Sequence, residues 1–93
     1  MKEHELKTLA PFWDAVARGD KTFEARKNDR GFNIDDVLVL RRCHYGEDGE
    51  TVYDDTVEPL RKRVSYMLVG GPDGNPYGVI EGFVILGLGE PLL

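Results

Sequence analysis

The sequence predicts a small α+β domain, and three features carry that reading. Short strand-like runs recur between clusters of glycine, proline, asparagine and aspartate. One two-turn helix is bracketed by Pro11 and Gly19, the positions that favour a helix start and a helix stop. The 93 residues leave room for one hydrophobic core, in a small barrel or sandwich, and none for a second. Residues 1–93 therefore read as a single domain.

His4 to Leu9 reads as the first strand, with Leu6 toward the core and Glu5 and Lys7 pointing away. Pro11 then sits at N1 and Gly19 at C′, and Phe12, Trp13, Val16 and Ala17 form an apolar stripe that packs the helix on the sheet. Lys21 to Lys27 is the second strand. Its period-two alternation assigns Phe23 and Ala25 to the core face and Thr22, Glu24 and Arg26 to the other. A polar turn follows from Asn28 to Gly31. Val37 to Leu40 is apolar on both faces, as expected for a central strand covered by a helix on one side and a barrel interior on the other. Gly46 to Gly49 is a hairpin turn, and Asp54 and Asp55 mark the next segment as an exposed, mobile arm. Arg61 to Val69 reads as a strand with Val64, Tyr66 and Leu68 on one face and Ser65, Met67 and Val69 on the other. Gly70 to Gly78 is a loop, and Phe83 to Leu88 is the last strand.

Composition excludes several function classes. A net charge of −5 argues against a general nucleic-acid coat, because nonspecific affinity comes from cations that displace counterions from phosphates. The charge is uneven, however. All twelve Lys and Arg residues precede Val64, and Asp35 to Glu58 holds eight acids against Arg41 and Arg42. A local basic face is compatible with that distribution. No apolar run approaches the ~18 residues of a membrane span. The N-terminus lacks the apolar core of a secretory signal, and the single Cys43 has no internal disulfide partner, so a reducing cytoplasm is the expected setting. Cys43 and His44 leave a strand on opposite faces, which speaks against a zinc site. There is no phosphate-binding glycine loop with a helix behind it. Ser65, the only serine, lies mid-strand without a neighbouring histidine. A monomer without metal or cofactor is the expectation.

What remains is the charged run from Gly19 to Arg30. Glu24 and Arg26 stand two positions apart on one strand face, roughly 6–7 Å, close enough to line one cleft wall. Arg26 suits a phosphate or a guanine edge, Glu24 suits a base amino group, and Lys21 adds a point charge. The residues alone leave open a plain structural pairing of Glu24 with Arg26.

The pattern G-x-K-x-x-E-x-R at Gly19, Lys21, Glu24 and Arg26, followed by Asn28-Asp29-Arg30 and a Val-Leu-Val-Leu strand, resembles the ASCH domain of the PUA-like superfamily. His4-Glu5-Leu6-Lys7, Gly82-Phe83-Val84-Ile85-Leu86 and the element order extend the likeness to short bacterial and phage ASCH-like proteins of unknown function. The resemblance implies a small mixed β-barrel of about five or six strands with one or two short helices. It also implies a cleft between helix and barrel that takes RNA or a nucleotide. The residues that would serve it are His4, Lys7, Lys21, Glu24, Arg26, Lys27, Asn28 and Arg30.

Two departures from the family stand out. Asp35-Asp36 replaces the usual glycine-aspartate pair before the central strand. ASCH-like acetylcytidine amidohydrolases resemble this chain at Gly19, Lys21 and Arg26 but use a threonine nucleophile where this sequence has Glu24. Hydrolysis of an acylated nucleoside, with Lys21 as base or electrostatic stabiliser, Glu24 as a general base for water, Thr22 as the alternative nucleophile and Glu81 as a further acid, is the alternative to plain binding. A protein-interaction module built on the acidic Asp35 to Glu58 region is a further one.

Overall fold

The computed structural model describes residues 1–72 and 76–92. The chain runs β1 (Glu3–Leu9), α1 (Ala10–Ala17), β2 (Phe23–Lys27), β3 (Val37–Tyr45), β4 (Thr51–Tyr53), β5 (Leu60–Val69) and β6 (Phe83–Gly89). Residues 73–75 of the Gly70 to Gly78 loop lie outside the described residues. No helix among the described residues is long and apolar enough to cross a membrane.

The strands form one mixed sheet in the order β1-β3-β5-β6-β2, with β4 paired to the far end of β3. β1 and β3 are parallel, from Glu3 beside Val37 to Leu9 beside Cys43. The other pairings are antiparallel. β1 alternates as its sequence requires, with His4, Leu6 and Thr8 inward and Glu3, Glu5 and Lys7 outward. The core gathers Leu6, Leu38, Leu40, Val64, Val84 and Leu86 from four strands and closes them with Trp13 and Val16 of α1 and with Phe32. Each such side chain contributes about 1.5–3 kcal/mol on burial. The Trp13 indole N–H donates to the Leu40 carbonyl at 2.9 Å, so the helix is fixed to the central strand by packing and by one buried hydrogen bond.

The structure corrects four expectations. The sheet is not closed into a barrel: β1 and β2 are its two ends and share no backbone ladder. Side chains bridge them instead, Arg26 Nη2 donating to the Lys7 carbonyl at 3.1 Å and Arg30 Nη1 to the Glu5 carbonyl at 3.0 Å. β2 also faces the opposite way from the expected one. Its pairing sets Glu24 across from Leu86 and Arg26 across from Val84, so these charged side chains share the core face, while Phe23 is 46% exposed.

β5 does not alternate straight through. A bulge between Val64 and Tyr66 shifts the register, which turns Tyr66 outward at 66% exposure and brings Met67 against the core. The bulge presses on β6 at Gly87, where an added Cβ would stand 3.2 Å from that of Tyr66 and 3.0 Å from Ser65 Oγ. The acidic arm, finally, is exposed over residues 55–59 as expected but tied down at Asp54. Arg42 donates from Nε and Nη2 to both oxygens of Asp14 on α1, at 2.9 and 3.0 Å, and from Nη1 to Asp54 at 2.8 Å. The guanidinium holds the Asp14 carboxyl below its ordinary value, and the Thr56 hydroxyl and amide, with Arg42, do the same for Asp54.

The turn entering β3 is built on the Asp35-Asp36 pair. Asp35 adopts φ +73°, the left-handed conformation a glycine takes without strain and an aspartate tolerates. Asp36 is buried. Its carboxylate accepts the Lys2 and Asn33 amides, both at 3.0 Å, and the His4 ring at 2.8 Å, where Nε2 must carry the proton because the carboxylate only accepts. Burial opposes the charged form, but these three donors outweigh it and leave the Asp36 carboxyl below its ordinary value.

Two outcomes follow from this turn. A depressed folded-state pKa means that Asp36 stabilises the fold fully above the unfolded carboxyl value of about 3.9 and that this contribution is lost as pH falls through the lower folded value. Asp36→Asn should cost about 1–3 kcal/mol at pH 7 and flatten the acid limb of urea-unfolding stability against pH; an unchanged acid limb would refute the assignment. Asp35→Gly should leave stability unchanged or raise it by up to about 1 kcal/mol, whereas Asp35→Val should lower it by about 1–2 kcal/mol.

Candidate functional site

The helix exit builds the site. Gly19, at φ +85°, donates its amide to the Val16 carbonyl at 3.0 Å, and the amides of Asp20 and Lys21 both return to the Ala15 carbonyl at 2.9 and 3.0 Å. The chain therefore wraps back under α1 and delivers Lys21 to the start of β2. There Lys21 Nζ donates to the Phe23 carbonyl and to Glu24 Oε1, both at 2.5 Å. Its ammonium also lies 5.0 Å from the Phe23 ring centre and 5.8 Å from that of Phe12, within cation–π range.

Glu24 is 4% exposed. Its Oε2 accepts from Arg26 Nε at 3.0 Å and lies 2.9 Å from Nη2. Arg26 continues to the Lys7 carbonyl and to Thr8 Oγ1 at 3.3 Å, while the Thr8 hydroxyl donates to the Leu6 carbonyl at 3.3 Å. One buried carboxylate is thus bracketed by two cations, and one of these reaches the edge of β1. A buried charge left without partners is costly, and this pairing is what lets a glutamate face the core side of β2.

A cleft of about 480 Å³ opens over this cluster. Lys7 and Thr8 of β1 form one wall and Lys21, Glu24 and Arg26 the other, with Phe12 on the helix side and Cys43 and Tyr45 at the end of β3. Phe12 and Tyr45 are more than half exposed and present flat apolar surface to the opening. Lys7 is exposed, and its ammonium makes no hydrogen bond or ion pair among the described residues. Cys43 is a buried free thiol, and His44 points away from it.

Of the residues singled out by sequence, the fold gathers Lys7, Lys21, Glu24 and Arg26 in the cleft. His4 lies elsewhere, paired with Asp36 and against the Phe32 ring at 4.7 Å. Arg30 bridges to the β1 backbone, the Asn28 amide donates to the Gly82 carbonyl at 2.8 Å, and Lys27 ends β2 opposite Phe83. None of these lines the cleft, nor do Thr22 and Glu81. Thr8, Phe12, Cys43 and Tyr45 also line it, outside the set the sequence points to. Thr8 carried a signal, since it shares the inward face of β1 with Leu6. Phe12 carried a misleading one, because it belongs to an apolar stripe that reads as core. Among the described residues no three His, Cys, Asp or Glu side chains converge as metal ligands.

The run of elements that builds this cleft, from β1 through β6, coincides with one sequence family. The chain belongs to the family of the domain of unknown function DUF3850, which matches residues 3–88. No curated protein matches the chain. The DUF3850 match takes in both cleft walls and the helix between them, so the cleft belongs to the family domain.

Burial changes the energetics expected of the cluster. An exposed Glu–Arg pair contributes ~0–1 kcal/mol. Glu24→Ala, which strips two partly buried cations of their shared partner, should cost about 2–4 kcal/mol in urea denaturation. A loss below about 1 kcal/mol would show that the carboxylate is solvated.

Proposed function

We propose that this domain binds a nucleotide, free or as one unit of a single-stranded RNA, in the cleft between β1, α1 and β2. The observation that carries this reading is the charge and shape of the cleft. Three cations, Lys7, Lys21 and Arg26, stand there against one carboxylate, in a protein whose net charge is −5. A locally cationic hollow in an acidic molecule attracts an anion and repels nothing that approaches that one opening. The walls add flat apolar surface from Phe12 and Tyr45, suited to stacking a planar ring. A volume of about 480 Å³ suits a single nucleotide and is too small for a duplex, within the range of small-molecule sites.

The resemblance of Gly19 to Arg30 to the ASCH pattern supports the same reading. Hydrolysis receives less support. The Thr8 hydroxyl is held by Arg26 and the Leu6 carbonyl, and both oxygens of the Glu24 carboxylate are engaged, one by Lys21 and one by Arg26. Among the described residues no hydroxyl with an adjacent free base stands in the cleft.

Lys7 supplies the clean test, because its ammonium makes no hydrogen bond or ion pair among the described residues. Lys7→Glu should weaken binding of nucleoside monophosphates and short single-stranded RNA at least tenfold by calorimetry, with thermal stability unchanged within about 0.5 kcal/mol. RNA affinity should fall with salt at a log–log slope of roughly −1.4 to −2, as two or three phosphate contacts on a single strand require. Unchanged affinity in Lys7→Glu would remove the cleft from consideration.

A further inference from the structure

The hydrogen-bonding groups left free in the cleft form a pattern that distinguishes one base from another. Lys21 Nζ has three N–H donors, two of them directed at Phe23 O and Glu24 Oε1, so one is free. Arg26 uses Nε and Nη2 on Glu24, the Lys7 carbonyl and Thr8, which leaves both N–H groups of Nη1 without a partner among the described residues. Glu24 Oε2 accepts from Arg26 Nε, with Nη2 in ion-pair contact at 2.9 Å, whereas Oε1 accepts from Lys21 alone and keeps one acceptor position open. All three side chains line the cleft. In the order set by the two ion pairs, Lys21 to Glu24 to Arg26, the unused groups are donor, acceptor and donor.

From this order we infer that the cleft selects the imide edge of a uracil-type base, an inference that rests on the nucleotide reading above. The imide presents carbonyl, N–H, carbonyl, which is acceptor, donor, acceptor. O4 takes the Lys21 proton, N3–H donates to Glu24 Oε1, and O2 takes a proton from Arg26 Nη1. Cytosine offers donor, acceptor, acceptor on the same edge and sets its N3 lone pair against the carboxylate. Guanine offers acceptor, donor, donor and sets its 2-amino group against the Arg26 guanidinium. Adenine offers only an amino group and one ring nitrogen. Each mismatch leaves a buried polar group facing its like, and sites built on hydrogen bonds reject such ligands strongly. Phe12 and Tyr45 flank the ring, and Lys7 at the mouth meets the phosphate.

The same edge reaches the cleft from a free uridine nucleotide or from a uridine in single-stranded RNA, and the test separates the two. Amide chemical shifts of the labelled protein are followed during titration with UMP, CMP, GMP, AMP and N3-methyl-UMP, and with the tetranucleotides UUUU and CCCC. UMP should move the resonances of Lys7, Thr8 and Lys21 to Arg26, with a Kd at least tenfold below that of CMP. Methylation at N3, which removes the one donor and leaves the rest of the ligand, should weaken binding at least tenfold. UUUU binding at least tenfold tighter than UMP identifies RNA as the source, and equal binding identifies the free nucleotide; both support imide selection. CMP or GMP binding as tightly as UMP, or no effect of N3 methylation, overturns the imide inference while the cleft remains a nucleotide site. Cleft resonances that respond to no nucleotide overturn both.

Discussion

The guanidinium of Arg26 serves two edges at once, and the arrangement of the domain depends on that. On one side it neutralises the buried Glu24 carboxylate. On the other it donates to the backbone of β1, the far end of a sheet that does not close. An unpaired strand edge carries a row of unsatisfied carbonyls and amides and invites association with another chain. Here Arg26 and Arg30 occupy the Lys7 and Glu5 carbonyls, so part of this edge is satisfied without a ladder closing the ring. The gap this leaves is also what makes the cleft possible. Two paired strands lie about 4.8 Å apart, with no room for a ligand between them. A side-chain bridge keeps the ends of the sheet together while leaving a hollow beside the bridge.

Glu24 is the other half of the constraint. A carboxylate on the core face of β2 would be expelled if it stood alone, since desolvating an unpaired charge costs more than the strand gains by pairing. With Lys21 on one oxygen and Arg26 on the other, the strand keeps its register against β6 and still presents charge at the rim of an apolar interior. The turn at Gly19 is therefore more than a helix stop. It returns the chain so that Lys21 arrives three residues before Glu24, on the same side of the strand and beside the Phe12 and Phe23 rings that shield its ammonium.

These relations also mark where the sequence could be read and where it could not. The alternation of β1, the Pro11 and Gly19 brackets, Trp13 in the core and the hairpin at Gly46 to Gly49 were legible because each depends on neighbours in the chain. β2 was misread for a physical reason. Period-two logic assigns apolar residues inward, and here Phe23 and Ala25 face out because two cations make an inward glutamate tolerable. Lys21 is close in sequence, but the role of Arg26 at the β1 edge is set by contacts 18 and 19 residues away, which no local pattern reveals. The bulge at Ser65 is hidden for the same reason: an apolar run does not say where its alternation slips. Lys21, Glu24 and Arg26 were visible as a charged cluster, while Thr8, Cys43 and Tyr45 became cleft residues only through the parallel pairing of β1 with β3.

Because the same side chains hold the ends of the sheet and line the cleft, a ligand bound on the reading proposed above is linked to fold stability. A ligand that engages the free protons of Lys21 and Arg26 adds its binding free energy to the folded state alone, about 2.7 kcal/mol at a concentration a hundred times Kd. It also tightens the bridge between β1 and β2 by fixing Arg26, the one residue that spans them from within the cleft. Loss of Glu24 or Arg26 acts in the reverse direction, loosening the bridge and emptying the site together. Weakened binding in such variants is therefore no measure of direct contact. The side chain of Lys7, whose ammonium has no partner among the described residues, and the chemistry of the ligand itself are the two handles that separate recognition from the integrity of the sheet.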